Sequence, residues 1–170
     1  KINEIKKSIE FVKLNKIKEA SIILSSLLND EDLKTEAHLY LGICKIKENK
    51  VNEAITLLEK SITFSPRHEF ANLNLGLVHF NNKNYEISIL YLNKTIEINE
   101  NNQLAIYHLG LINLILENYN KAINQFNKLL KINRKDQNAI LNLGIIYNKL
   151  GEYEKSIETY KNLIEINPKN

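Results

Sequence analysis

Glycine recurs every 34 residues, at Gly42, Gly76, Gly110 and Gly144. A fixed period of this length marks a tandem array, in which each unit packs on its neighbours instead of folding around one closed core. The 170 residues make five periods of 34, and positions 1 to 34 are counted within each from Lys1. Alanine keeps to the same frame. All seven alanines fall at position 3 (Ala37, Ala71, Ala105, Ala139) or position 20 (Ala20, Ala54, Ala122). In so alanine-poor a chain, these are sites where little more than a methyl group fits.

Each period reads as two helices. In the fourth, Leu104, Tyr107, Leu111 and Leu114 recur at helical spacing, residues 117–120 form a turn, and Ala122, Ile123, Phe126, Leu129 and Leu130 supply a second stripe. No useful length alternates with period two, so strands are not expected. Pro66 and Pro168 fall at position 32, between units, where a missing N–H does no harm. Gly151, at position 15, falls in the turn between helices and predicts a positive φ there. A glycine inside a helix costs about 1 kcal/mol against alanine. Its repetition at position 8 therefore predicts a close approach of the paired helices, with the small residue at position 20 facing the same contact. Apolar residues at positions 21, 28 and 30 (Ile89, Ile96 and Ile98 in the third period) are expected to meet the following unit. The first period departs from the pattern. Ser8 replaces glycine, and the stripe Ile2, Ile5, Ile9, Val12 predicts a first helix shifted by about two residues.

The recurring set resembles the tetratricopeptide repeat: Leu-Gly at positions 7 and 8 (Leu41-Gly42, Leu75-Gly76, Leu109-Gly110, Leu143-Gly144), Tyr147 at 11, and Ala or Ser at 20 in all five periods. Phe126 and Tyr160 match the aromatic at 24, and Tyr85, Tyr119 and Tyr153 the frequent aromatic at 17. The resemblance covers the whole chain. It implies an all-α fold, a right-handed α-solenoid of antiparallel helix pairs, with repeats 1–34 (degenerate), 35–68, 69–102, 103–136 and 137–170 in a single solenoid over 1–170.

Composition narrows the function. The chain is 44% hydrophobic and 25% charged, with a net charge of +3, which is too small by itself to point to nucleic acid or an anionic membrane. Summed by period the charge runs +1, +1, −2, +3 and 0, so no basic block stands out. No apolar run approaches the ~18–20 residues of a membrane span. The lone Cys44 excludes an internal disulfide and fits a reducing, cytoplasmic setting. Methionine is absent, and the chain reads as a piece of a longer protein. Ile, Asn and Lys make up 72 residues, a bias in keeping with an AT-rich genome, so a single asparagine carries little weight.

No phosphate loop, metal spacing or nucleophile motif is present, so no catalytic residue, metal site or cofactor is assigned. Cys44, at position 10, reads as packing. His38, His68, His79 and His108 occupy four different positions and do not converge. The informative surface is the inner groove that the resemblance assigns to positions 2, 5, 6, 9, 12 and 13 of each first helix. The peptide-binding candidates there are Tyr40, Phe70, Asn74, Phe80, Tyr107, His108 and Asn142. In periods three and four no groove position is formally charged, while Lys13, Lys47 and Lys149 flank it against one acid, Glu36. Position 6 reads Lys6, Tyr40, Asn74, His108, Asn142, a hydrogen-bonding residue in every period. Side-chain amides along a groove can bond peptide backbone without reading its sequence. Asn74 and Asn142 resemble the asparagine ladder of the O-linked N-acetylglucosamine transferase family. A carboxylate clamp of the chaperone-tail kind is disfavoured, because its sites fall on Leu39, Ile43, Asn74, Leu104 and His108 and only the asparagine fits.

The expected function is a non-catalytic scaffold binding an extended or helical peptide, with apolar side chains and some acidic character, from an unidentified protein. The alternatives are the targeting module of a larger enzyme such as a glycosyltransferase, and a scaffold that self-assembles. Self-assembly would use the C-terminal face, where Ile157, Ile164 and Ile166 have no following repeat. Nucleic-acid binding is not expected, because the inner face lacks clustered Lys and Arg.

Overall fold

The computed structural model describes residues 1–166, all-helical with no strand among them. The ten helices are α1 (Ile2–Lys13), α2 (Ile17–Ser26), α3 (Lys34–Lys47), α4 (Val51–Phe64), α5 (Glu69–Asn81), α6 (Tyr85–Ile98), α7 (Gln103–Ile115), α8 (Tyr119–Ile132), α9 (Gln137–Lys149) and α10 (Tyr153–Ile166). The fold class is an α-solenoid. The chain divides into two compact units, Lys1–Ile98 with α1 to α6 and Asn99–Asn170 with α7 to α10. Pro168 lies outside the described residues, and no described helix is long and apolar enough to cross a membrane.

The two helices of each repeat pack on one another, and in the second repeat they run antiparallel. Ser61 Oγ, late in α4, donates to the carbonyl of Thr35 at the start of α3 (3.0 Å), while Gly42 in the middle of α3 faces the middle of α4. The glycine contact differs in detail from the expected one. A Cβ on Gly42 would lie 2.9 Å from Cγ of Leu58, and one on Gly110 would lie 2.7 Å from Cε1 of Phe126. Position 8 is thus pressed chiefly against position 24, the large residue of the second helix. Position 20 meets the glycine backbone instead. Ser88 Oγ donates to the Gly76 carbonyl (2.7 Å) and Ser156 Oγ to that of Gly144 (2.9 Å). This explains why serine stands in for alanine at position 20: a hydroxyl there is buried but satisfied.

Every hairpin turn is built the same way. Asn15, Asn49, Lys83, Glu117 and Gly151 all have φ between 57° and 75°. In each turn the N–H of the following residue reaches back five residues, as in Lys16 to Phe11 and Asn118 to Asn113 (both 2.8 Å). The left-handed residue's own N–H reaches back three, as in Lys83 to Phe80 (2.9 Å). This Schellman geometry closes the orphan carbonyls of each first helix. Gly151 was the one such site expected from sequence. The other four are left-handed without glycine.

The turns correct the reading of the first period. Asn15 occupies the same left-handed position as its counterparts, and Ser8 is fully buried where glycine stands elsewhere, its Oγ bonded to the Ile5 carbonyl (2.7 Å). Helix α1 keeps the common frame and is not shifted. The serine hydroxyl escapes burial cost by bonding its own helix.

In the first unit, Ile5 and Val12 of α1 join Ala20 and Leu24 of α2, Leu27 at its C-cap, and Ala37, Leu41 and Cys44 of α3 in one core. A second cluster joins Leu39 and Leu58 to Ala71, Leu75 and Val78, with Ile55 and Ile62 of α4 packed against it. Positions 21 and 28 of this repeat thus pack against a cluster that the following first helix helps to build. Cys44 is a packing residue, and burial pushes its thiol pKa up, away from reactivity. The second unit buries Ala105, Ile106, Leu109, Ile112, Phe126, Ile140 and Ile146.

Candidate functional site

In the first unit, α3 touches both α1 and α5, so neighbouring first helices lie side by side. Leu39 and Leu73, at position 5, are buried, and positions 2, 6, 9 and 13 supply the surface that remains. On α5 that surface is Phe70, Asn74, Leu77 and Asn81, one residue per turn. Phe70 is 57% exposed, a large apolar ring held in water at the helix start. Phe80 is half-buried, its ring 6.0 Å from that of Tyr85. Tyr40 on α3 is half-buried between the two core clusters, and burial raises its phenol pKa.

Asn74 donates from its amide nitrogen to the Phe70 carbonyl one turn back (2.7 Å). That uses one amide hydrogen. The group carries a second N–H and an acceptor oxygen. Glu36, the single acid read in the groove, is tied to His68: its carboxylate lies 3.0 Å from Nε2. Because His68 Nδ1 accepts from the Ala71 N–H (3.3 Å), the tautomer that satisfies both bonds carries its proton on Nε2 and donates it to Glu36.

His68 is the N-cap of α5, and the same position caps the next two first helices. Asn102 accepts from Ala105 N–H and Asp136 from Ala139 N–H (both 2.9 Å). Reading the histidines as an unrelated scatter missed this role. The available signal was Asn102 and Asp136, one and two periods on, both strong N-cap residues. Helix α3 has Lys34 at that place and no side-chain cap.

In the second unit, α7 exposes Leu104 and Ile115 at its ends, with His108 and Leu111 half-buried between them. His108 Nδ1 lies 2.8 Å from the Leu104 carbonyl; burial lowers its pKa, and the bond to that carbonyl partly opposes the shift. Tyr107 is half-buried and turned toward its own partner helix, edge-on to Phe126 at 6.1 Å. On α9, Asn142 is 9% exposed, and its amide donates to the Asn138 carbonyl (2.8 Å). Asn74, His108 and Asn142 thus share one habit, a bond to the carbonyl four residues back. Lys6, Lys13, Lys47 and Lys149 are exposed. Among the described residues no group of three or more His, Cys, Asp or Glu side chains is placed to hold a metal.

Two family descriptions match this geometry's sequence: anaphase-promoting complex, cyclosome, subunit 3, over residues 47–129, and tetratricopeptide repeat, over residues 138–170. No curated protein matches the chain significantly. Solved structures share the fold. MamA AMB-1 has a TM-score of 0.84 at 22% identity, covering 99% of this chain and 92% of that one. MamA MSR-1 has 0.82 at 24%, covering 98% and 96%. YrrB, described as a TPR protein with an unusual peptide-binding site, has 0.83 at 20%, covering 98% and 86%.

Proposed function

We propose that this chain, a tetratricopeptide repeat protein of five units (1–34, 35–68, 69–102, 103–136 and 137–170), is a non-catalytic interaction scaffold that holds a peptide along its first-helix faces. The observation that carries the reading is the pairing on α5 of Phe70, 57% exposed, with Asn74 one turn on. An exposed ring beside an amide with unused bonding capacity offers an apolar anchor and a backbone clamp within one helical turn. The absence of charge along Phe70, Asn74, Leu77 and Asn81 means that a ligand's apolar side chains meet no desolvated ion. YrrB, a TPR protein with an unusual peptide-binding site, supports the reading through a shared fold.

A selection of displayed random peptides on the intact chain tests it. Selected peptides should carry an apolar anchor, and they should lose affinity to Phe70→Ala while the variant melts as wild type does. Peptides that bind Phe70→Ala and Asn74→Ala undiminished would remove the first-helix assignment.

A second reading is favoured by α10. Ile157 and Ile164 are 55% and 60% exposed, whereas Ile55 and Ile62, at the same positions of α4, pack against a neighbouring core. Such a face self-associates readily. Light scattering at rising concentration should show growth in mass that Ile157→Lys with Ile164→Lys abolishes, and a mass that stays monomeric throughout would exclude it.

A further inference from the structure

Residues 118–135 contain five cations, Lys121, Lys128, Lys131, Arg134 and Lys135, and no acid. Every other second helix mixes its signs: α2 carries Glu19, α4 Glu53 and Glu59, α6 Glu86 and Glu97, and α10 Glu154, Glu158 and Glu165. A sum over the period hides this block, because Glu117 and Asp136 flank it. Neither acid answers it from within. Glu117 occupies the left-handed turn at the far end of α8, and Asp136 Oδ1 is engaged in capping α9.

Three of the five, Lys128, Lys131 and Arg134, line an open depression of about 1010 Å³ within the second unit. Asn124, Asn127, Lys128 and Lys131 form one face of α8 at spacings of three and four residues; Arg134 follows the helix, and Asn101 comes from the turn before α7. Glu100 is the one acid in the lining. None of Lys128, Lys131 and Arg134 makes an ion pair or side-chain hydrogen bond among the described residues. A favourable position near a helix C-terminus accounts for Lys131. It does not account for Lys128 in the middle of the helix, for the interleaved asparagines, or for the missing acids.

We propose that this depression on α8 is a second docking site, separate from the first-helix faces, for an acidic polypeptide segment. Its unanswered cations take the segment's carboxylates, and the amides of Asn124 and Asn127 donate to its oxygens or accept from its backbone N–H groups. The lining favours a polypeptide over the other polyanions. It holds no aromatic ring on which a base could stack, and Leu130 and Ile132, its only apolar side chains, are half-buried and do not stand out for insertion into a bilayer.

The test measures polarisation of a fluorescein-labelled peptide with alternating Glu and Ser, against the same peptide with Gln for Glu, on the whole chain. The Glu peptide should bind, weaken steeply with salt, and lose at least tenfold in affinity to the triple variant Lys128→Glu, Lys131→Glu, Arg134→Glu. A charge-matched control, Lys18→Glu, Lys60→Glu, Lys83→Glu, changes exposed lysines outside the depression and should lose less than threefold. Circular dichroism verifies that both variants fold. Equal losses in the two triples would reduce the effect to net charge and overturn the site. So would a single-stranded oligonucleotide, or vesicles of anionic lipid, that binds more tightly than the Glu peptide and depends on the same three residues.

Discussion

Gly110 lies directly beneath the ring of Phe126: a Cβ on the glycine would stand 2.7 Å from Cε1 and 2.8 Å from Cζ. Phe126 is fully buried and cannot swing away. Alanine is the better helix former by about 1 kcal/mol, yet Gly110→Ala should lower stability by about 1–3 kcal/mol, because overpacking outweighs propensity. Urea melts of the two proteins decide it; a more stable variant would mean that the helices separate without cost.

The hairpin turns allow a gain. Glu117 has φ 57° with a Cβ, where left-handed backbone costs an L residue roughly 1–2 kcal/mol. Glycine gives part of this back through unfolded-state entropy. Glu117→Gly should therefore stabilise by about 0.5–1 kcal/mol, seen as a higher denaturation midpoint with an unchanged slope. The same change at exposed Leu116, a residue earlier and outside the left-handed region, should destabilise.

Acid should weaken the fold through histidine. Burial holds His79 below its ordinary 6.5, with Glu59 pulling it part of the way back; the ring is stacked on Tyr91 at 5.9 Å. Burial likewise lowers His38 and His108. The unfolded chain takes up protons as pH falls through about 6.5 while the folded rings resist. Below that pH the unfolded state binds more protons, so stability is complete above it and declines as pH drops. The melting temperature should fall between pH 7.5 and 5.5, and His79→Phe, which keeps an aromatic against Tyr91, should fall by less.

On the first-helix face, fold and binding should separate. Phe70→Ala and Asn74→Ala remove side chains that project from α5, so melting should shift little. Binding of a selected peptide should weaken by about 0.5–1.5 kcal/mol for Asn74→Ala, the net worth of an ordinary hydrogen bond, and by more for the ring. Leu73→Ala, one residue from Asn74 but 5% exposed, should do the reverse and cost about 2–5 kcal/mol of stability. Isothermal titration paired with thermal melts distinguishes the two patterns.

The sequence by itself determined the period, the helical pairing, the crowding at position 8 and the turn at Gly151. These follow from local spacing and from residues whose size or backbone freedom has few other uses. It also marked Phe70 and Asn74 as surface candidates, because helical spacing separates positions 2 and 6 from the buried positions 3 and 7. Only the tertiary structure decided which partner each residue meets. The axial offset of two packed helices sets Gly110 against Phe126 and leaves the serines at position 20 to bond a carbonyl. The same closure forces Lys83 and Glu117 into a backbone region their side chains do not favour. His68 became a cap because the turn brought it under the Ala71 N–H, with Glu36 across from it. Lys128, Lys131 and Arg134 became a cluster when helix geometry put them around one depression. Spacing along a chain encodes local conformation; the contacts that select partners arise between segments distant in sequence, where packing angle and burial decide.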